Sequence, residues 1–295
     1  MVLEQNFLKS IMKVDYCFIL AAGFGTRMGE IGKELPKLLW PVFERPLLEL
    51  QIEFARSLGI EDIAFNCHHQ ADKILKHPSL KNATALYEPE VLDIGGGIHN
   101  FAKEKNYQGH ALILNADQFL IFDKSFLDSL EDKGQVATLF TKTVLKSESY
   151  NKLEIKDHFL KAIIPNSEIK EESFETYSGC AVINLARLRP SEGKSPFFQT
   201  VANFKQEKVL CVNTDRLEYN DFGTKDRYFE CIQEVLAGKR PRLKDFLLQT
   251  KSFQDNGEKS FSYSGLIKVN ENAIALDGQN PAGNARFFYK NLKDT

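Results

Sequence analysis

Residues 16–22, Tyr-Cys-Phe-Ile-Leu-Ala-Ala, form an apolar run that stops at Gly23, and a second glycine follows at Gly25. Thr26, Arg27 and, ten residues further on, Lys37 add donors and positive charge. A glycine-rich turn after a buried strand can aim several backbone N–H groups at one anion, because residues without a Cβ allow close approach. With Arg27 and Lys37 beside it, the natural guest of such a turn is a polyphosphate. Gly-x-Gly alone is equally the mark of a plain structural turn, so the neighbouring charges carry this reading.

Two familiar glycine loops fail on this stretch. The dinucleotide fingerprint G-x-G-x-x-G needs a third glycine where Met28 stands. The P-loop G-x-x-x-x-G-K-[ST] fails because Glu34 follows Gly32-Lys33 and Arg27 takes the leading glycine position.

Downstream, the pattern predicts a helix over 46–58 with Pro46 in its first turn, an apolar stripe of Leu47, Leu50, Phe54 and Leu58, and Gly59 as its end. A strand over 61–67, a helix near 71–76 and a strand over 84–87 follow. This β-α-β-α-β rhythm predicts an α/β fold, a parallel sheet with helices on its faces. Gly95, Gly96 and Gly97 then precede a helical stretch from Ile98 to Lys105. They read either as a flexible link or as a loop where main-chain groups meet the edge of a flat base. Residues 111–114 form the shortest and most apolar strand, hence a central one. It ends in Asn115-Ala116-Asp117, where an open α/β sheet binds ligands.

Strands are expected over 135–144, 152–156, 159–165, 177–184 and 208–212, with a polar loop over 169–176 and a helix over 197–204. Thr224 is placed to cap a helix from Lys225 to Leu236. The break at 238–241 divides the chain into a catalytic unit, residues 1–238, and an extension, residues 239–295, packed on it. Two short strands are expected within 266–278, a short lead helix within 3–11, and Lys239 to Lys244 reads as a solvated linker. Trp40 and Phe43 read as packing residues.

A net charge of −2 on 295 residues, with no long basic block, argues against nucleic acid as a partner. No apolar segment approaches the roughly 20 residues of a membrane span, so no membrane partner is expected. The first residues lack a signal peptide's apolar core and cleavage site. Five scattered cysteines without a C-x-x-C pair point to buried thiols in a reducing, cytoplasmic setting.

The whole string Leu20-Ala21-Ala22-Gly23-x-Gly25-Thr26-Arg27, followed by Pro36-Lys37, resembles the signature of the sugar-1-phosphate nucleotidyltransferases. The resemblance spans residues 16–230, and Tyr87 to Ile98 is the portion most similar to the uridylyltransferases acting on N-acetylmuramate-1-phosphate and related hexose phosphates. It implies a mostly parallel, Rossmann-like (GT-A-like) sheet with helices on both faces. It implies that Asp117 and Asp221, the latter in Asp-Phe-Gly-Thr, share Mg²⁺, a hard cation that takes oxygen ligands and leaves room for substrate phosphates. By the same resemblance Arg27 and Lys37 act on the phosphates, and Leu20 to Gly23 with Gly25 and Thr26 hold the nucleotide. Gly95 and Gly96 border its base, and Ser178-Gly179 line the sugar pocket. The partners implied are a nucleoside triphosphate, UTP foremost, and a sugar-1-phosphate, with monomer and homo-oligomer both open.

The sequence departs from the family pattern at Leu38 and Ala116, neither of which removes a charge. It also lacks the E-K-P segment after the middle strands, which leaves the sugar contacts from Ile163 to Glu175 unassigned; Lys161 is the nearest basic candidate. Guanylyl or cytidylyl transfer would use the same skeleton. A nucleotide-sugar-binding regulator would have less need of both aspartates.

Overall fold

The fold is that of a computed structural model, in which residues 12–23, 35–253, 261–263, 267–270, 273–279 and 285–291 are described. The expected lead helix within 3–11 and the turn residues Gly25, Thr26 and Arg27 lie outside the described residues.

In chain order the elements are β1 (Tyr16–Leu20), β2 (Pro41–Val42), β3 (Arg45–Pro46), α1 (Leu47–Ser57), β4 (Asp62–Cys67), α2 (Ala71–Leu75), β5 (Thr84–Tyr87) and α3 (Asp93–Glu104). Next come β6 (His110–Asn115), β7 (Gln118–Ile121), α4 (Lys124–Asp128), β8 (Ala137–Leu145), β9 (Lys152–Lys156), β10 (Phe159–Ile164), β11 (Ser173–Asn184) and α5 (Phe197–Thr200). The chain continues through β12 (Val209–Asn213), β13 (Glu218–Asp221), α6 (Lys225–Leu236) and α7 (Pro241–Gln249). β14 (Phe261–Tyr263), β15 (Ile267–Asn270), β16 (Ala273–Gln279) and β17 (Ala285–Asn291) form an antiparallel sheet in that order.

The main sheet has nine strands in the order β5-β4-β1-β6-β11-β8-β12-β10-β9. Its first four strands are parallel, as the βαβ rhythm requires, and β12 runs parallel to β8. β11 enters antiparallel between β6 and β8, and β10 with β9 closes the far edge as a hairpin. The central strands are apolar on both sides because both sides are covered. Cys17 and Ile19 face a cluster built with Leu47, Leu50 and Phe54 of α1 and with Phe229 and Ile232 of α6. Phe18, between them, faces the opposite cluster, where it stacks on Phe101 of α3 at 4.6 Å. Leu112 and Leu114 against Ala111 and Ile113 repeat the alternation on β6. The expected α/β class, a Rossmann-like nucleotidyltransferase sheet with helices on both faces, is the fold of this chain.

Gly59, in the left-handed region at φ +82°, ends α1 where expected, and Thr224 caps α6 by accepting from Arg227 N at 3.3 Å. Trp40 and Phe43 are fully buried.

Four local expectations change. The three glycines lie inside α3, not in a loop ahead of it, and all three are buried. A Cβ on Gly95 would stand 2.6 Å from Ser195 O, and one on Gly97 2.9 Å from Asn66 Nδ2, so these glycines let the helix lie directly on neighbouring backbone and side chains. The polar stretch 169–176 is already strand from Ser173 onward, paired with β8. The helix at 197 stops at Thr200. The basic run at 239–244 opens α7, whose Leu243, Phe246 and Leu247 are buried in the same cluster as α1. Its charges mark the solvent face of an amphipathic helix.

Candidate active site

The carboxyl ends of β1, β4 and β6 meet where the first strand gives way to the glycine turn. Leu20 lies beside Asn115 in register, and Ala116 N donates to Leu20 O at 3.1 Å. Asn66, the penultimate residue of β4, accepts from Ala21 N at 2.6 Å and Ala22 N at 3.2 Å through its side-chain oxygen. Its amide donates to Glu88 at 2.7 Å, and Glu88 also accepts from Leu92 N at 3.1 Å. This buried chain ties the start of the glycine turn to the start of α3, and every member has a partner, as burial demands. Among the described residues nothing lies within 4 Å of a Cβ placed on Gly23.

Lys37 opens a single helical turn, Lys37–Leu39, anchored by buried Leu38 and Leu39. Its ammonium is paired with Asp117 Oδ2; the side chains are 9% and 24% exposed, so the pair sits at the floor of an open edge. Leu38, the departure from the family's second proline, serves here as core.

Asp117 and Asp221 meet through a short two-stranded ribbon. β7 leaves Asp117 and pairs antiparallel with β13, Asp221 lying opposite Gln118. Phe222 N donates to Asp117 O at 2.8 Å and completes the junction. Asp221 accepts from Gly223 N at 2.6 Å through Oδ1 and from Arg227 of α6 at 2.6 Å through Oδ2. A Cβ on Gly223 would stand 2.6 Å from Asp221 Oδ1 and 3.8 Å from Asp117 Oδ2, so the two carboxylates flank this glycine. Two hard oxygen donors at one open edge suit a divalent cation that takes its remaining ligands from phosphate and water. Among the described residues no third acidic, histidine or cysteine side chain joins them into a closed cage.

Ser178 and Gly179 reach the same edge through an irregularity in β11, where pairing with β8 shifts between Tyr177 and Ala181. Gly179 takes φ +87°, and a Cβ there would overlap Asn115 Nδ2 and Gln118 Oε1. Those two side chains bond each other at 2.6 Å over the turn that holds Asp117. Ser178 is buried, and its hydroxyl accepts from Cys180 N at 3.3 Å. Gln51 of α1 fixes the turn from below, donating to Asn115 O at 2.9 Å and Gln118 O at 2.8 Å.

Of the residues expected at the site, Leu20, Ala21, Ala22, Gly23, Lys37, Asp117, Asp221, Ser178 and Gly179 thus gather around one edge. Gly95 and Gly96 stand buried in the first turn of α3, against the backbone of residues 193–196, and it is Gly97 that meets the Asn66–Glu88 pair.

Sequence reading passed over Gln51, Asn66, Lys142, Tyr150, Tyr219 and Arg227. Gln51 had a signal, a polar residue inside the apolar stripe of α1. Arg227 stands one helical turn past its cap residue, aimed back at the strand end. Lys142 of β8 lies over the Tyr219 ring at 3.8 Å and the Tyr150 ring at 4.9 Å. Burial pushes its pKa below the ordinary lysine value, against the pull of Glu148 and Asp221. All five cysteines are buried free thiols, and burial raises Cys211 and Cys231 to about 12, so they are packing groups.

The order and direction of the strands place the chain in the Rossmann-like nucleotidyltransferase fold class. The crystal structure of HddC from Yersinia pseudotuberculosis complexed with GMP-PN has a TM-score of 0.60 and 20% identity to this chain, covering 75% of this chain and 99% of that one. Residues 17–140 match the family model described as the MobA-like NTP transferase domain. Relatives of the chain are sugar-1-phosphate nucleotidyltransferases. A Sulfolobus acidocaldarius protein, whose name provisionally assigns it mannose-1-phosphate guanyltransferase activity, is 26% identical over 81% of this chain and 68% of its own length. The UTP–glucose-1-phosphate uridylyltransferase of Synechocystis is 28% identical over 43% of this chain, which spans 37% of that relative. Among the described residues no helix is long and apolar enough to cross a membrane.

Proposed function

We propose that the chain transfers a nucleoside monophosphate from a nucleoside triphosphate to a sugar-1-phosphate, releasing pyrophosphate, with UTP as the donor. The meeting of Asp117 and Asp221 beside Lys37 carries this reading. A phosphate monoester has its second pKa at about 6, so the acceptor oxygen is already anionic near neutrality and needs no general base. That oxygen forms a bond to the α-phosphorus in line, and the bond from the α-phosphorus to the bridging oxygen breaks. The electron pair leaves with pyrophosphate.

Lys37 swings between Asp117 and the phosphates, neutralising charge at the reacting centre. Arg27 and the Gly23–Thr26 amides grip the leaving pyrophosphate, Ser178-Gly179 border the sugar, and residues from Leu20 to Gly23 border the nucleoside. Arg227 and the Gly223 amide hold the Asp221 carboxylate in place. Asp117 and Asp221 would hold Mg²⁺, which when bound supplies charge stabilisation to the phosphate oxygens.

Uridylyl transfer rests on the Tyr87–Ile98 stretch; the Sulfolobus relative's name favours a guanylyl donor as the second reading. A panel of the four nucleoside triphosphates against glucose-, mannose- and N-acetylmuramate-1-phosphate, followed by pyrophosphate release with Mg²⁺, decides between them. UTP is expected to outpace GTP. Release with GTP alone moves the assignment to guanylyl transfer, and none with any pair leaves a nucleotide-sugar-binding protein.

A further inference from the structure

We propose that Lys142, held between Tyr150 and Tyr219, binds the phosphate of the acceptor sugar-1-phosphate. The inference rests on the function proposed above and assigns a residue to the acceptor half of that site.

Three strands place the ammonium. Lys142 lies on β8 opposite Thr176, next to the pair formed by Thr141 and Tyr177, so it adjoins the irregular segment of β11 that carries Ser178 and Gly179. Tyr219 lies on β13, two residues before Asp221. Tyr150 comes from the loop ahead of β9, and its hydroxyl stands 3.5 Å from Arg227 NH1, the group that grips Asp221. The Lys142 ammonium is therefore fixed between two aromatic faces on the Asp221 side of the carboxylate pair.

Its electrostatics are those of a cation awaiting an anion. Lys142 is half-buried, and among the described residues no carboxylate forms an ion pair with it. Burial disfavours its charge and Arg227 adds to that, while Glu148 and Asp221 act at longer range to keep it protonated. A bound phosphate would supply the missing counter-charge in a half-buried place, where such a pairing is stronger than in open water.

Geometry selects which phosphate. Lys37 pairs with Asp117, whose neighbour Ala116 donates to Leu20 O at the end of β1, where the glycine-rich stretch begins. Lys142 and Arg227 stand on the Asp221 side. In-line displacement requires the attacking and leaving oxygens on opposite sides of the phosphorus. With the leaving pyrophosphate at the turn, the attacking phosphate belongs on the Lys142 side. This also fills the gap left by the missing E-K-P segment with a lysine from a different strand.

Lys142→Met, which keeps the buried stem and removes the charge, tests this in two ways. With the best substrate pair from the panel, the KM for the sugar-1-phosphate should rise about tenfold or more while the KM for the nucleotide stays within about twofold. Lys142→Arg, which keeps the charge, should recover part of the loss in acceptor KM. A merely structural lysine would move both KM values together, and that result overturns the proposal. Independently of turnover, calorimetry with inorganic phosphate should find binding about tenfold weaker in Lys142→Met than in wild type. Equal affinities overturn the anion site. If the panel finds no turnover but phosphate binding still depends on Lys142, the reaction assignment falls and the anion site stands. Lys142→Gln repeats both measurements should the methionine variant not fold.

Discussion

Each of the two central carboxylates is held by a cation of the chain itself. Lys37 holds Asp117, and Arg227 holds Asp221 with the Gly223 amide on its other oxygen. Asp221 is only 11% exposed, so its charge depends on those partners, whereas Asp117 at 24% retains contact with water. Replacing Asp117 by asparagine keeps the shape and removes the charge. Partial exposure of the pair limits the stability loss to about 1–2 kcal/mol. The rate should suffer far more, because a carboxylate that helps hold a divalent cation contributes several kcal/mol of charge stabilisation. Pyrophosphate release with Mg²⁺ should fall about a hundredfold or more in Asp117→Asn and in Asp221→Asn, a larger loss than either variant's loss of stability. Rates within about threefold of wild type in both variants would remove these residues from the reaction.

The irregularity in β11 brings a sheet strand against the turn that carries Asp117. A regular strand would carry Ser178 and Gly179 past the turn at Asn115–Gln118; the shift in pairing leaves Gly179 at φ +87° directly against it. Gly179→Ala adds a left-handed non-glycine residue and an overlap with Asn115 and Gln118, which together should cost about 2–3 kcal/mol by denaturant unfolding. Because the displaced turn carries Asp117, turnover should fall further than stability does; a stable variant with unchanged turnover would show that the turn does not depend on this contact. Elements differ in how far local pattern foretells them. β1 and β6 were legible because a strand covered on both sides must be apolar at every position, and α1 because its stripe and its closing Gly59 agree. The start of α3 was not legible: three glycines oppose a helix locally, and only the backbone of residues 193–196 against Gly95 and Gly96, with Asn66 and Glu88 against Gly97, makes them an advantage. α7 was hidden by the basic run from Lys239 to Lys244 at its start, which reads locally as a linker. The pairing of Asp117 with Asp221 was legible through family resemblance alone, since the ribbon of β7 and β13 joins segments about a hundred residues apart. The setting of Lys142 requires β8, β13 and the loop before β9 together, and no window of sequence contains them.

At the scale of the whole molecule, three histidines give stability a dependence on pH just below neutrality. Burial holds His77, His99 and His110 below the ordinary value of 6.5, outweighing the nearby carboxylates at His77 and His110 and the Thr200 carbonyl at His99. A histidine depressed in the folded state binds its proton more readily once unfolded. Above pH 6.5 neither state is protonated and the full stability is present; as pH falls through 6.5 the unfolded chain takes up protons first and stability declines. Each histidine can contribute a slope of at most about 1.4 kcal/mol per pH unit, until its own folded pKa is reached. Asp215 and Glu171, whose pKa values lie below the ordinary carboxylate range, add their losses only at lower pH, so the two windows separate. His99 is the most consequential of the three, because it joins α3 to Thr200 O at 3.2 Å and so holds the helix whose first turn meets the Asn66–Glu88 chain. Denaturant unfolding at half-unit steps between about pH 7.5 and 5.5 should show stability falling steadily below about 6.5. His99→Gln, which cannot titrate, should flatten part of that slope while costing stability near neutrality. A wild-type profile that stays level across this range would mean that the three rings are protonated as easily inside the fold as outside it.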